Sequence, residues 1–325
     1  MLFCKKKMAT AEQLKTLLKS HFDNNSERFN TIALQIAANE ARVGHSMLAN
    51  EIKDLVDKNK YTPIRILEFS PDLNDLVIAS SPKTHIHELI GPKVFHQRID
   101  RILREYKQKE KIRKYGLHNR RKILLAGSSG TGKTMTASVI AGELSLPLYT
   151  VLMDKLITKF MGETSAKLRQ IFDLIGKHRG VYLFDEFDAI GAERAKDNDV
   201  GEMRRVLNAF LQFIENDDSE SFIIAATNNI NLLDQALFRR FDDVIHYNKP
   251  DDQLIEMLIK NRLGMFHGKY TTTSIVGHAK GLSHADITRA CDDAIKETIL
   301  SDKKTVTKDL LIQMLEDRFL AYGER

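Results

Sequence analysis

The sequence predicts an α/β fold: an αβα sandwich around a parallel five-stranded sheet, with a small helical bundle before it and a helical lid after it. Three observations carry this. Five short apolar runs, 122–126, 148–152, 181–184, 222–226 and 244–247, stand as strands, and helical segments separate the first four. Such alternation favours parallel pairing through crossover helices. The first run opens straight into a glycine-rich octet at 127–134, and beyond Pro250 the chain reads as helical apart from a loop near 277–283. The expected divisions are a bundle at 1–60, a linker at 61–85, the sandwich at 86–249 and the lid at 250–325.

Composition bounds the reading. A chain of 325 residues suggests two or three units. With 42% hydrophobic and 29% charged residues it reads as soluble and globular, and no apolar run approaches the roughly 18 residues that span a bilayer. The opening Met1-Leu2-Phe3-Cys4-Lys5-Lys6-Lys7 is too short for a signal peptide and carries its charges after its apolar residues; Met8 is a second candidate start. Two cysteines, Cys4 and Cys291, make no disulfide framework, so the cytoplasm is the expected compartment. The histidines lack metal-ligand spacing, His85-x-His87 being the nearest approach, and no His-Glu-x-x-His occurs.

Taken in order, residues 10–58 show three helical stripes: Leu14, Leu17, Leu18 and Phe22; Phe29, Ile32, Ala33, Ile36 and Ala37; Met47, Leu48, Ile52, Leu55 and Val56. Asn24-Asn25-Ser26 and Gly44 punctuate them. Pro63, Pro71 and Pro82 mark an extended linker with a candidate strand at 64–69. A basic helix follows at 92–115, and 98–122 holds eleven Lys or Arg against three acids. Its Ile99, Ile102, Leu103 and Tyr106 recur at helical spacing. A solvated outer face explains the charge as well as a nucleic-acid surface does, and nucleic acid is the less favoured partner.

Gly127-Ser128-Ser129-Gly130-Thr131-Gly132-Lys133-Thr134 after a strand fits a phosphate-binding loop. Glycines let successive N–H groups face an anion, and the dipole of a helix starting near Lys133 adds to the attraction. Lys133 would reach β- and γ-phosphates, and the Thr134 hydroxyl would ligate Mg²⁺. The same octet also suits a plain turn between strand and helix. Asp185 and Glu186 end an apolar run, Asp185 lying 52 residues after Lys133. A strand-end Asp beside such a loop holds Mg²⁺ through water, while its neighbour Glu can polarise an attacking water. Asn228 ends a further strand, suited either to orienting that water or to forming a turn. Arg239 and Arg240 are either an arginine finger or surface charge.

With these motifs in order, the chain from about residue 86 to its end resembles the AAA ATPases, whose core is a P-loop NTPase sandwich. The resemblance implies ATP as cofactor with Mg²⁺, Asp185 and Thr134 at the metal, Glu186 as base, and Asn228 as the first sensor. It implies that Arg239 or Arg240 acts on the neighbour's ATP, hence a homo-oligomer, a hexameric ring. Ile90 and Gly91, within 88–91, fall where the family contacts adenine. Gly281-Leu282-Ser283-His284-Ala285-Asp286 is similar to the family's lid motif Gly-x-Ser-Gly-Ala-Asp, which makes Ala285 a nucleotide contact and leaves His284 in place of a Gly. Ser128-Ser129 stands for the usual Pro-Pro.

Phe160-Met161-Gly162 resembles the pore loop with which AAA translocases grip polypeptides, an aromatic side chain packing without reading sequence. Residues 195–202 fall where a second pore loop would be. Ala41-Arg42-Val43-Gly44-His45, Leu156-Ile157-Thr158-Lys159 and 182–191 resemble bacterial AAA ATPases encoded beside a subtilisin-like serine protease. That resemblance implies protein clients and a protease in trans, in a plasmid-stability or phage-defence module. A nucleotide-controlled switch or inhibitor of a partner is the alternative, and a nucleic-acid loader the third.

Overall fold

The computed structural model describes residues 11–22, 26–60, 71–159, 163–189, 200–230 and 235–321. The chain divides into two compact units, Met1–Arg65 and Ile66–Arg325. The candidate strand at 64–69 lies outside the described residues.

The first unit holds three helices, α1 (Ala11–Phe22), α2 (Ser26–Val43) and α3 (Ser46–Lys60). Ile32, Ala33, Ile36, Ala37, Ala49 and Val56 are buried, whereas Leu14, Leu18, Met47, Leu48 and Leu55 from the expected stripes are exposed. A bundle this small cannot cover every apolar side chain it carries. α2 ends in a paired turn: Gly44 N–H donates to Ala41 O and His45 N–H to Glu40 O, with Gly44 at φ +97°. That left-handed step is why a glycine stands there. The buried Glu40 carboxylate meets His45 Nδ1 at 2.7 Å.

The second unit is built on a six-stranded sheet in the order β1-β3-β4-β5-β2-β6. The strands are β1 (Val77–Ser80), β2 (Lys122–Gly127), β3 (Leu148–Leu152), β4 (Val181–Asp185), β5 (Phe222–Thr227) and β6 (Asp243–Tyr247). β2 to β6 are parallel and match the five expected runs. The expected all-parallel, five-stranded sheet is corrected by β1, which pairs antiparallel with β3 from within the segment read as linker. The prolines around it masked the signal: Pro71 opens a one-turn helix, α4 (Pro71–Asn74), rather than an extended stretch.

Alternation along the strands builds two cores. Leu124, Tyr182, Phe184 and Ile223 pack on one face with Leu168, Ile171 and Phe210. Ile123, Leu125, Leu183 and Ile224 pack on the other with Ile102, Ala137 and Ile140. Burial on both sides explains why these strands read as unbroken apolar runs. The helices that cover them are α5 (Lys93–Lys107), α6 (Lys109–Arg113), α7 (Lys133–Glu143), α8 (Met153–Lys159), α9 (Thr164–Lys177) and α10 (Val200–Asn216). The basic helix expected over 92–115 is two helices, α5 and α6, broken at Gln108.

Much of the basic charge is spent inside the fold. Arg98 pairs with Asp243, Arg121 with Asp217, Arg120 with Glu105 at 2.8 Å, and Lys109 and Arg113 both with Glu220.

After a short α11 (Gln235–Phe238) and β6 come α12 (Asp252–Leu263), α13 (Val276–Ala279), α14 (His284–Leu300) and α15 (Lys308–Ala321). Their core is Ile255, Ile259, Ile287, Ala290, Leu311 and Leu315. Among the described residues no helix is long and apolar enough to cross a membrane.

Candidate functional site

Strand order builds the site. β2 lies beside β5 and β5 beside β4, so the C-terminal ends of these three strands are neighbours. They deliver Gly127, Asn228 and Asp185 to one edge of the sheet. Ligands of open α/β sheets bind at such an edge.

Residues 127–132 form the bend between β2 and α7. Gly130 (φ +73°) and Gly132 (φ +104°) take left-handed conformations, and Gly132 is the N-cap of α7. At Gly130 a Cβ would lie 2.4 Å from Ser283 Oγ, so the loop needs glycine for space as well as for φ. Thr131 Oγ1 donates to Ser128 O at 2.7 Å and fixes the turn. Ser128 and Ser129 are exposed at its tip.

Lys133 starts α7 and is buried. Its ammonium donates to Gly127 O at 2.7 Å, Ser128 O at 2.9 Å and Asn228 Oδ1 at 2.8 Å. Burial pulls its pKa below the usual lysine range, opposed by Asp185 and Asp188. Its three hydrogen bonds all go to neutral oxygens, and a buried cation so placed suits an anionic ligand.

Thr134 Oγ1 donates to Asp185 Oδ2 at 3.1 Å, which joins the start of α7 to the end of β4. A hydroxyl and one carboxylate fit Mg²⁺, a cation that keeps much of its water. Among the described residues no three His, Cys, Asp or Glu side chains converge, so the site offers no cage of the zinc type. Glu186 follows with φ +53°. A non-glycine residue held there stores strain, which is characteristic of functional positions. Its side chain is exposed, and its N–H donates to Asp185 Oδ1 at 3.0 Å.

Sequence reasoning missed Asp188. Its Oδ1 accepts from Asn228 N–H at 3.1 Å, locking β5's last turn to the segment after β4. Three residues beyond Asp185, it read as one more acid in a run, and only the strand order shows what it faces.

These groups border one cavity of about 1330 Å³. Ser129 to Thr134, Asp185, Glu186 and Asn228 line one end; Ile90 and Gly91 line it from the segment before α5, and His284 and Ala285 from α14. The size exceeds that of ordinary small-molecule sites and admits a nucleoside triphosphate. Ala285 N–H donates to Gly130 O at 2.9 Å, and Lys249 Nζ to Gly281 O at 2.7 Å, so the helices after Pro250 touch the loop directly. α14 opens with a capping box, Ser283 and Asp286 satisfying each other's backbone N–H.

One pair of predicted site residues lies apart from the cavity. Arg239 and Arg240 are exposed and absent from the cavity lining. Arg240 pairs with Glu215, while Arg239 has no partner among the described residues. Phe160, Met161 and Gly162 lie outside the described residues, as do 195–199 of the second loop.

The model of the ATPase family associated with various cellular activities (AAA) matches residues 123–249. Over 317 residues the chain is 31% identical to the AAA family ATPase y4kL of Sinorhizobium fredii, covering 95% of this chain and 96% of that one. The chain belongs to the AAA family of ATPases. It is thus an ATP-hydrolysing enzyme of that family, and its matched region starts at β2 and ends just past β6. The chain is 30% identical over 220 residues to the proteasome-activating nucleotidase of Methanoregula boonei, covering 65% of this chain and 50% of that relative. It is 26% identical over 268 residues to the ATP-dependent zinc metalloprotease FtsH 1 of Thermomicrobium roseum, 80% of this chain and 41% of that one. This AAA ATPase therefore spans about half the length of those two relatives or less.

Proposed function

We propose that the chain is a ring-forming protein remodeller, an unfoldase, that couples ATP hydrolysis to pulling or distorting protein clients. The observation that carries the reading is the convergence of Lys133, Thr134, Asp185, Glu186 and Asn228 on one cavity that α14 also borders. In this reading the N–H groups of 127–134 and Lys133 bind the phosphates, Ile90 and Gly91 flank the adenine, and Ala285 closes the site from a lid formed by 250–325. Thr134 and Asp185 hold Mg²⁺, which when bound neutralises charge developing on the phosphates. Glu186 takes a proton from the attacking water, whose oxygen Asn228 orients. Arg239, without a partner among the described residues, reaches the neighbour's γ-phosphate, and Arg240 is held by Glu215.

A trans finger requires subunits arranged head to tail, and closure of that arrangement gives a ring, here of six. The names of the nucleotidase and FtsH relatives tie their own chains to proteolysis, which supports protein as the client class. Phe160, Met161 and Gly162 would grip it. The likeness to ATPases encoded beside a subtilisin-like serine protease makes such a protease the proposed partner in trans, in the cytoplasm. The internal ion pairs of Arg98, Arg120 and Arg121 leave less free charge for nucleic acid, which argues against a loader.

Two measurements test the proposal. Glu186→Gln protein with ATP, recovered from its native cells, should carry a small set of clients or a subtilisin-like protease identified by mass spectrometry. Phe160→Ala should keep ATPase activity and lose the remodelling of those clients. Function untouched by Phe160→Ala would instead favour a nucleotide-controlled switch.

A further inference from the structure

The segment that leads into α5 is anchored at both ends to α7, the helix that begins at Lys133. At its start, a Cβ on Gly142 would lie 2.3 Å from Thr84 O, and Glu143 Oε1 accepts from Ile86 N–H at 3.1 Å. At its end, Gly91 passes so close over Phe95 that a Cβ would lie 2.7 Å from the ring. Phe95 packs edge-on against Tyr247 with ring centroids 5.3 Å apart, and Tyr247 Oη donates to Thr136 Oγ1 of α7 at 2.6 Å.

Between these anchors His96 takes hold of the backbone. Its Nε2 lies 2.7 Å from Leu89 O. A carbonyl only accepts, so the ring carries its proton on Nε2 and donates it there. Nδ1 lies 3.3 Å from Pro92 O, a second carbonyl, so a neutral ring makes the Leu89 bond alone. His96 does not border the nucleotide cavity, whereas Leu89, Ile90 and Gly91 do. Among the described residues the N–H and C=O groups of Ile90 and Gly91 have no hydrogen-bond partner. Backbone groups left unpaired on a cavity-lining segment are available to the edge of a nucleobase.

We propose that His96 is a positioning residue for the base: by holding Leu89 O it fixes the line of Ile90 and Gly91, and so sets how well the cavity tells adenine from guanine. This rests on the ATPase reading, with the base beside Ile90 and Gly91. Adenine presents an amino donor where guanine presents a carbonyl acceptor, so backbone groups held in one register suit one base and oppose the other. Loosening the segment costs the fit to adenine and relaxes the rejection of guanine. Among the described residues the His96 ring bonds only to Leu89 and Pro92, remote from Lys133, Glu186 and Asn228 in the bond network, so its effect falls on binding rather than on chemistry.

The test is binding of ATP and GTP to the full chain by calorimetry, with steady-state ATPase kinetics and thermal melting on the same preparations. His96→Ala should weaken ATP binding about fivefold, the worth of one neutral hydrogen bond, and leave GTP binding unchanged. The KM for ATP should rise by a similar factor with kcat within about twofold of wild type. His96→Gln, whose amide can donate from near the position of Nε2, should restore the preference for ATP; His96→Asn, which reaches only as far as Nδ1, should not. Wild-type discrimination in His96→Ala overturns the proposal, as does an equal loss of ATP and GTP binding with a drop in melting. A fall in kcat at unchanged KM overturns it too. Equal binding of ATP and GTP by the wild-type chain, or unchanged ATP binding in Lys133→Ala, contradicts the underlying reading instead.

Discussion

Lys133 Nζ donates to Asn228 Oδ1 at 2.8 Å and so ties the start of α7 to the end of β5. The same asparagine is held from its other side, its N–H donating to Asp188 Oδ1 at 3.1 Å. Ammonium, amide and carboxylate thus form one chain of hydrogen bonds that joins the start of α7 to the end of β5 and the segment after β4. Geometry held this tightly limits the reorganisation that a reaction would need.

Lys133→Ala should weaken ATP binding by about tenfold to a hundredfold, the range for a charge-assisted hydrogen bond removed from a partly buried site. Titration of the variant with ATP by calorimetry checks it. The core should stay intact, because among the described residues the Lys133 ammonium hydrogen-bonds only to the loop and Asn228.

Asp188→Ala removes the acceptor for Asn228 N–H without touching the loop. The expected outcome is a kcat lower by about tenfold or more with little change in ATP affinity, since misplacing a water-orienting group costs rate rather than ground-state binding. Steady-state kinetics and a binding isotherm on one preparation separate the two. An equal loss in both would mean that Asp188 supports the whole cavity.

Arg239 and Arg240 should part company. Arg239→Ala should lose hydrolysis by about a thousandfold while still binding ATP, as expected of a finger. Arg240→Ala should be milder, since its guanidinium is engaged by Glu215. ATPase rates across a range of protein concentrations check both, and a monomer hydrolysing at the full rate would remove the case for action in trans.

β2, β4 and β5 were legible because each is buried on both faces and so reads as an apolar run ended by a glycine or polar residue. The loop was legible because Gly130, Gly132 and Lys133 each meet a distinct local demand of conformation, space or charge. β1 was not, because four residues among prolines carry no periodicity and an edge strand depends on its partner. Asp188 was hidden for a related reason. Its partner Asn228 lies forty residues away, and only strand order brings the two together.

The most direct measurement of the account is single-turnover ATP hydrolysis by wild-type and Glu186→Gln protein, alongside nucleotide affinity. Glu186 stands at the end of β4 with φ +53°, beside the bonded pair Thr134 and Asp185, and touches neither Lys133 nor the loop through any hydrogen bond among the described residues. The account predicts ATP affinity within a few-fold of wild type and a hydrolysis rate lower by about a hundredfold or more. Turnover near the wild-type rate in Glu186→Gln would contradict it.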